Sequence, residues 1–388
     1  MEERREKLVK IYRAGVVGTG FIGKVHIETI RRLGNVEVVA IADKAHPEVT
    51  AAKLNVPRYF EDYREMIDTM NLDMVHICTP NFTHFEIAMY AMDHGVNVIC
   101  EKPMAVSVEQ AKAMQAKAEE KHLVAAVNFH NRFYPMTNHL MNIIKDGELG
   151  DVFSVTGSYC QDWLLYPTDY SWRLESSQSG DTRAVADIGS HWMDLAEFVS
   201  GQKIVSVCAD FQTIYEKRLK PKKQVLAFST EKFDKDDYTE FPVDTEDNAS
   251  ILLKFSGGAK GTVFISQVIA GKSVAIDLLV GGKKKSAEWN SSRVNDLDVG
   301  IRDKYTEHIE KGAATVHPNT LPLVAYPFGH AEGFPDAFKQ NFRQIYDSIE
   351  NKEGNYHYAT FNDGVHEMIL CEKIFESNKE QRWIDVPE

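Results

Sequence analysis

Between Tyr12 and Asn128, short β-branched and apolar runs alternate with stretches whose apolar positions recur at helical spacing. Parallel βαβ units leave this pattern in a sequence. It predicts strands over Arg13–Val17, Val36–Ala42, Met74–Cys78, Asn97–Cys100 and Val124–Asn128. Helices are expected to open at Phe21 and to span Tyr63–Met70 and Thr83–His94. The capping-box pattern Ser107-Val-Glu-Gln110 starts another helix that reaches about Lys121. The predicted product is an α/β domain with a doubly wound parallel sheet.

Past Asp151 the texture changes. Longer alternating segments over Val152–Tyr159, Ile204–Thr213, Asn248–Phe255, Gly261–Gln267 and Val274–Val280 are separated by turn signals such as Gly257-Gly258 and Gly281-Gly282. Apolar-in, polar-out alternation of this kind suits a mainly antiparallel sheet with one covered face. Helices are expected at Ser190–Val199, Phe334–Glu350 and Asn362–Asn378, and the charged stretch from Glu216 to Asp237 reads as a solvated loop or hairpin tip. At 388 residues the chain exceeds one comfortable core. The division is drawn as a dinucleotide-binding domain over 12–130 and a substrate-binding and oligomerisation domain over 131–388.

The first candidate chemistry lies in Gly18-Thr-Gly20-Phe21-Ile22-Gly23, between the first strand and the first helix. Gly18 permits the tight turn, Gly20 lets a pyrophosphate approach the backbone, and Gly23 lets helix pack on strand; Phe21 and Ile22 open the helix whose free N–H groups face the anion. Asp43 stands twenty residues beyond Gly23, at the end of the second strand, where a carboxylate accepts hydrogen bonds from ribose hydroxyls. Its charge opposes a 2′-phosphate and favours NAD, whereas the neighbouring Lys44 leaves NADP as an alternative.

Composition narrows the class. A formal charge of −13 opposes nucleic acid and anionic membrane as main partners. No apolar run has the length of a signal peptide or a membrane span. The five cysteines are widely spaced and form no C-x-x-C pair, which reads as reduced thiols of a cytoplasmic protein.

Glu101-Lys102-Pro103 and the loop Thr79-Pro80-Asn81-Phe-Thr-His84 end adjacent strands at the carboxyl edge, where ligands bind in open α/β sheets. Polar groups of the second loop are expected along the nicotinamide ribose. A second cluster, Asp187-Ile-Gly-Ser-His191-Trp-Met-Asp194, places Asp187 and His191 on one helix face at i, i+4. Three polar ligands could hold a metal, but no further His or Cys completes a compact set, so no metal is expected. The bland alternative is a capped helix with a buried histidine; the functional one pairs His191 with Lys102 in proton handling, with Asp187 orienting one of them.

Taken in order, the phosphate loop, Thr79-Pro80 to His84, Glu101-Lys102-Pro103, Asn131-Arg132-Phe133-Tyr134-Pro135, Trp172-Arg173 and Asp187 to Asp194 resemble the glucose-fructose oxidoreductase / inositol dehydrogenase / rhizopine-catabolism (Gfo/Idh/MocA) family over nearly the whole chain. The resemblance implies an N-terminal Rossmann domain and a C-terminal α/β domain with an open, mainly antiparallel sheet. A sugar or cyclitol would bind between them, and subunits would associate through that sheet as homodimers or homotetramers. Lys102, Asp187 and His191 match the family's catalytic positions; Glu101 falls in the cofactor-side motif, and Arg132, Trp172 and Arg173 match positions near the nicotinamide and the domain junction. Where many members carry a glycine-rich run before the aspartate, this chain has Thr182 and Arg183, which points to a larger, anionic or differently oriented substrate.

The stretch from Tyr159 to Arg173 is dense in aromatics and amides. Sugars need aromatic faces and precisely placed polar groups, so Gln161, Trp163, Tyr170 and Trp172 become substrate candidates beside Arg183. His330, in the loop Tyr326 to Gly333, is a further candidate. The expected activity is NAD(P)-dependent oxidation of a secondary alcohol of a sugar, glycoside or inositol. The alternatives are redox-assisted elimination or hydrolysis with tightly held NAD, and a non-enzymatic dinucleotide-binding regulator.

Overall fold

A computed structural model describes residues 10–223 and 234–387. Its first sheet has seven strands in the order β17-β6-β5-β4-β1-β2-β3. These are β1 (Tyr12–Val17), β2 (Val36–Ala42), β3 (Arg58–Phe60), β4 (Met74–Ile77), β5 (Asn97–Cys100), β6 (Ala125–Val127) and β17 (Ala359–Thr360). All pairings are parallel except that of β17, which joins β6 antiparallel from far along the chain. Helices α1 (Phe21–Arg31), α2 (Pro47–Leu54), α3 (Tyr63–Met70), α4 (His84–Asp93) and α5 (Val108–Glu120) cross between the strands. Every position of β4 is buried, as expected of a strand covered on both faces.

After α6 (Pro135–Lys145) the chain builds a nine-stranded sheet in the order β16-β15-β14-β13-β7-β12-β11-β8-β18. Its strands are β7 (Val152–Cys160), β8 (Ile204–Gln212), β11 (Asn248–Phe255), β12 (Lys260–Ser266), β13 (Ala275–Gly282), β14 (Ser286–Asn290), β15 (Asp296–Gly300), β16 (Glu307–Glu310) and β18 (Ile384–Asp385). Only β7 and β12 pair parallel; the other neighbours are antiparallel. The covered face packs on α8 (Ser190–Ser200), with Trp192 fully buried and its indole N–H on the Asp277 carbonyl. The opposite face stays open and carries Phe153, Leu252, Phe264 and Leu279, each exposed.

The charged stretch forms a separate hairpin, β9 (Lys217–Pro221) with β10 (Tyr238–Pro242); the part of that reading covering 224–233 lies outside the described residues. A short helix, α7 (Ser176–Ser179), precedes the turn into α8. The two closing helices, α9 (Phe334–Glu350) and α10 (Phe361–Glu380), return to the first sheet. α9 packs on α1 and α10 on α5, while α10 also contacts β8. A buried chain of polar groups ties this return to the first domain. Tyr346 bonds His76 (2.9 Å), His76 bonds His26 (3.0 Å), and His26 bonds Glu101 (2.9 Å). Among the described residues no helix is long and apolar enough to cross a membrane.

Candidate active site

The carboxyl ends of β1, β2, β4 and β5 share one edge of the first sheet, and the glycine loop sits there. Gly18 has φ +87°, a left-handed conformation that a side chain would strain. A Cβ at Gly23 would lie 2.0 Å from the Gly18 carbonyl oxygen, so loop and helix touch only because that residue is glycine. A Cβ at Gly20 would meet nothing within 4 Å, which leaves an open cradle before the uncapped N-terminus of α1. An open cradle at a helix N-terminus without a side-chain cap and an acid at the end of β2 fit a dinucleotide. Phe21 is exposed at the cradle's rim, Ile22 packs inward against the core, and Lys44 is exposed.

Asp43 does more than sequence reasoning assigned to it. Its Oδ2 accepts from the Thr19 N–H (2.6 Å) and hydroxyl (2.7 Å), and its Oδ1 accepts from Ala45 N–H (2.9 Å). The acid therefore braces the loop, and both oxygens retain lone pairs for ribose.

Lys102 leaves the end of β5 and reaches Asp187, donating to its main-chain carbonyl (2.6 Å) and to Oδ1 (2.9 Å). Arg173 Nε donates to the same oxygen at 3.1 Å, and Gln267 Nε2 donates to Oδ2 at 2.8 Å. Burial alone would raise the Asp187 pKa, but Lys102 and then Arg173 hold the carboxyl well below its usual range. Asp187 sits in a π-helical turn, Val185–Gly189, rather than on the regular helix the i, i+4 spacing suggested; α8 begins at Ser190. Such wide turns recur at functional sites because they re-aim side chains.

His191 lies in an aromatic pocket, its ring 5.3 Å from His130, 5.7 Å from Phe129 and 6.4 Å from Tyr159. Its Nδ1 is buried without a partner. Burial, then the charge of Lys102, pushes its pKa well below the ordinary histidine value, so the imidazole is neutral. Burial likewise pushes His130 down to about 3. His130 and Gln267 escaped the sequence reading. Gln267 is 80 residues from Asp187 and belongs to no local motif, and His130 precedes Asn131-Arg132 without any spacing signal.

A small cleft beside Asp187 is lined by Asn81, Arg173, Ser179, Thr182, Arg183 and Ala186. Arg173 also stacks its guanidinium 4.5 Å over Trp172 and 5.9 Å from Trp163. Trp163 Nε1 donates to Gln161 Oε1 at 2.7 Å, so these two substrate candidates are joined. Thr79 and Pro80 remain partly exposed at the cleft side of the sheet edge.

Arg183, expected at substrate, borders this cleft, but its side chain has no exposure and is paired to Asp247 beneath it, because an unpaired guanidinium there would be too costly to bury. Other candidates lie elsewhere. Glu101 points away from Lys102 and accepts from His26 and Asn128. Burial would raise it, but those bonds keep it below the usual carboxylate range. His84 is fully buried between the Pro103 carbonyl (3.0 Å) and the Thr79 carbonyl (2.8 Å); burial lowers its pKa, so the neutral ring donates to one at a time and struts the two loops. Arg132 is a buried partner of Asp194 and Asp363 at the junction of the two domains. Tyr170 donates to Glu175 and packs on Phe241 in a small separate cluster. His330 is exposed, with Nδ1 facing the Phe328 carbonyl at 3.3 Å. Among the described residues no three His, Cys, Asp or Glu side chains gather as a metal-ligand group.

Residues 12–129 match the model of the oxidoreductase family with an NAD-binding Rossmann fold, and residues 137–288 match that of the GFO/IDH/MocA C-terminal domain. The chain is 28% identical over 393 residues to levoglucosan dehydrogenase of Pseudarthrobacter phenanthrenivorans, covering 96% of this chain and 98% of that one. It is 28% identical over 379 residues to inositol 2-dehydrogenase of Rhizobium meliloti, covering 96% and 99%. Among solved structures, levoglucosan dehydrogenase in complex with NADH and levoglucosan superposes with a TM-score of 0.86 at 26% identity, covering 98% of this chain and 100% of that one.

Proposed function

The chain belongs to the Gfo/Idh/MocA family of NAD-binding oxidoreductases, and on that footing we propose that it is an NAD-dependent dehydrogenase of a secondary alcohol on a sugar, glycoside or cyclitol. The observation that carries the reading is the contact between Lys102 and Asp187, which sets a cation from the cofactor edge against an acid from the second domain. Bound NAD supplies the hydride acceptor.

The chain's own work is binding, orientation and proton handling. Lys102, in its neutral amine form after giving up its own proton, accepts the hydroxyl proton as the carbinol is oxidised, or passes it on with His191. Asp187 holds the lysine by its charge and accepts from a neighbouring substrate hydroxyl. The neutral His191, whose ring carries one donor and one acceptor nitrogen, suits a hydrogen bond to the reacting oxygen. Trp163 and Trp172 offer faces to the C–H surface of a sugar, and Gln161 and Arg173 offer polar groups to its hydroxyls. Asp43 favours NAD over NADP.

The open sheet face, with Phe153, Leu252, Phe264 and Leu279 exposed, supports association of subunits there. Sedimentation of the purified protein measures this: a monomer at micromolar concentration would remove the association. Five free cysteines fit a cytoplasmic setting.

Absorbance at the reduced-nicotinamide band, with NAD and a panel of inositols, monosaccharides and glycosides, tests the activity. NADH forming with one of them supports the dehydrogenase. Conversion of a glycoside without net NADH would replace this reading with redox-assisted cleavage.

A further inference from the structure

Gln267 directly follows β12 and has no solvent exposure. Its amide stands between groups of opposite chemistry. Oε1 accepts from Arg183 Nη1 at 3.3 Å, and Nε2 donates to Asp187 Oδ2 at 2.8 Å. A guanidinium only donates and a carboxylate only accepts, so the amide has a single workable orientation.

Arg183 is itself held at several points. It pairs with Asp247, which Arg218 also engages at 2.8 Å, and it donates to the Glu246 carbonyl (2.9 Å) and to Thr245 Oγ1 (3.2 Å). The Glu246 carboxylate accepts the main-chain N–H groups of Arg183 (3.0 Å) and Val185 (2.8 Å). Residues 245–247 thus anchor both the guanidinium and the backbone entering the turn that carries Asp187.

Lys102 and Arg173 both donate to Oδ1 of Asp187. Two donors on one oxygen resist rotation about the Cβ–Cγ bond from one side of the carboxylate only. A third donor on the other oxygen fixes the plane.

We infer that Gln267, oriented by Arg183, is a positioning residue that sets the rotation of the Asp187 carboxylate and so aims Oδ1 at Lys102. Its kinetic consequence rests on the dehydrogenase reading; the geometric one does not. Misplacing a catalytic group by a fraction of an ångström lowers turnover while leaving cofactor binding intact.

The test uses Gln267→Leu and Gln267→Glu in the full chain, with melting temperature as the folding control. Gln267→Leu is expected to lose about 10- to 100-fold in kcat, the scale of one hydrogen bond to a charged group, with the Kd for NAD unchanged. Gln267→Glu faces the Asp187 carboxylate with another, flanked by Arg183 on the new side and by Lys102 and Arg173 on the old, and the Oδ2 contact survives only while the pair shares a proton. Its turnover should therefore fall as pH rises and that proton is lost, a decline absent from the wild-type profile. Turnover of Gln267→Leu within about twofold of wild type, or a pH-independent loss in Gln267→Glu, would overturn the inference, because one hydrogen bond to a charged group is worth more than that. A crystal structure of Gln267→Leu separates this from failure of the dehydrogenase reading. If wild type oxidises nothing on the panel, a rotated Asp187 carboxylate still supports the clamp, and an unmoved one overturns it.

Discussion

Lys102 Nζ is clamped at two points of one residue, the carbonyl oxygen and Oδ1 of Asp187, at 2.6 and 2.9 Å. The lysine comes from the strand edge that carries the dinucleotide cradle and the aspartate from the turn entering α8, so the contact joins the two halves of the site. Removal of the amine should abolish proton handling and leave the cradle untouched. Lys102→Ala is expected to lose about 10²- to 10⁴-fold in kcat, the range for general acid–base groups. NAD affinity, read by quenching of protein fluorescence, should stay as in wild type; full turnover on the true substrate would refute the assignment.

Asp43 braces Thr19 and, in the proposed site, meets the ribose, so Asp43→Ala is expected to weaken NAD by two routes. We expect the Kd for NAD to rise about tenfold or more, from the loss of hydrogen bonds to a charged group. Melting temperature should change little, since the side chain is only partly buried. Calorimetric titration gives the first quantity and a thermal scan the second; an unchanged Kd removes Asp43 from the site.

Arg132 donates to both carboxylate oxygens of Asp194, and Asp194 has 1% side-chain exposure. Arg132→Leu leaves that carboxylate buried without its partner, at an expected cost of about 3–5 kcal/mol. Urea unfolding measures it. A variant with wild-type stability but weakened NAD binding would return Arg132 to the cofactor.

Glu367 on α10 has an oxygen buried without a partner, and burial, then Glu197 and Asp194, raises its pKa well above the ordinary value. The folded protein keeps this proton where the unfolded chain releases it. The contribution to stability is complete below the unfolded pKa and is lost as pH rises through the folded one. Glu367→Gln keeps the shape and drops the charge. Its melting temperature should exceed that of wild type at pH 8 and converge with it near pH 5, each unit of raised pKa being worth about 1.4 kcal/mol. Parallel curves for the two proteins would assign the proton elsewhere.

The legible parts of the chain were those with local periodicity or local chemistry. Tyr63–Met70, Asn97–Cys100, Asn248–Phe255 and Phe334–Glu350 have the bounds that alternation and capping predict. The helix Pro135–Lys145 was missed although its sequence is amphipathic; in the fold even its polar positions Thr137, Asn138, His139 and Asn142 are buried. At the site, residue types offered Lys102, Asp187 and His191 as one of two readings and the family pattern favoured it, whereas Gln267 had no pattern at all. Arg183 shows the limit of residue type: a cation near a predicted pocket reads as a ligand for an anion, yet its partner Asp247 lies 64 residues away and takes it below the surface.

The seventh strand of the first sheet has a consequence for the order in which the protein is made. β6 pairs on its outer side with Ala359 and Thr360, so on the ribosome the nucleotide-binding sheet emerges with a raw edge and keeps it until every strand of the second sheet but the edge strand β18 has been translated. The first sheet thus waits for residues from the far end of the chain. A chain stopped short of Ala359 would carry an unpaired edge ready to join another chain.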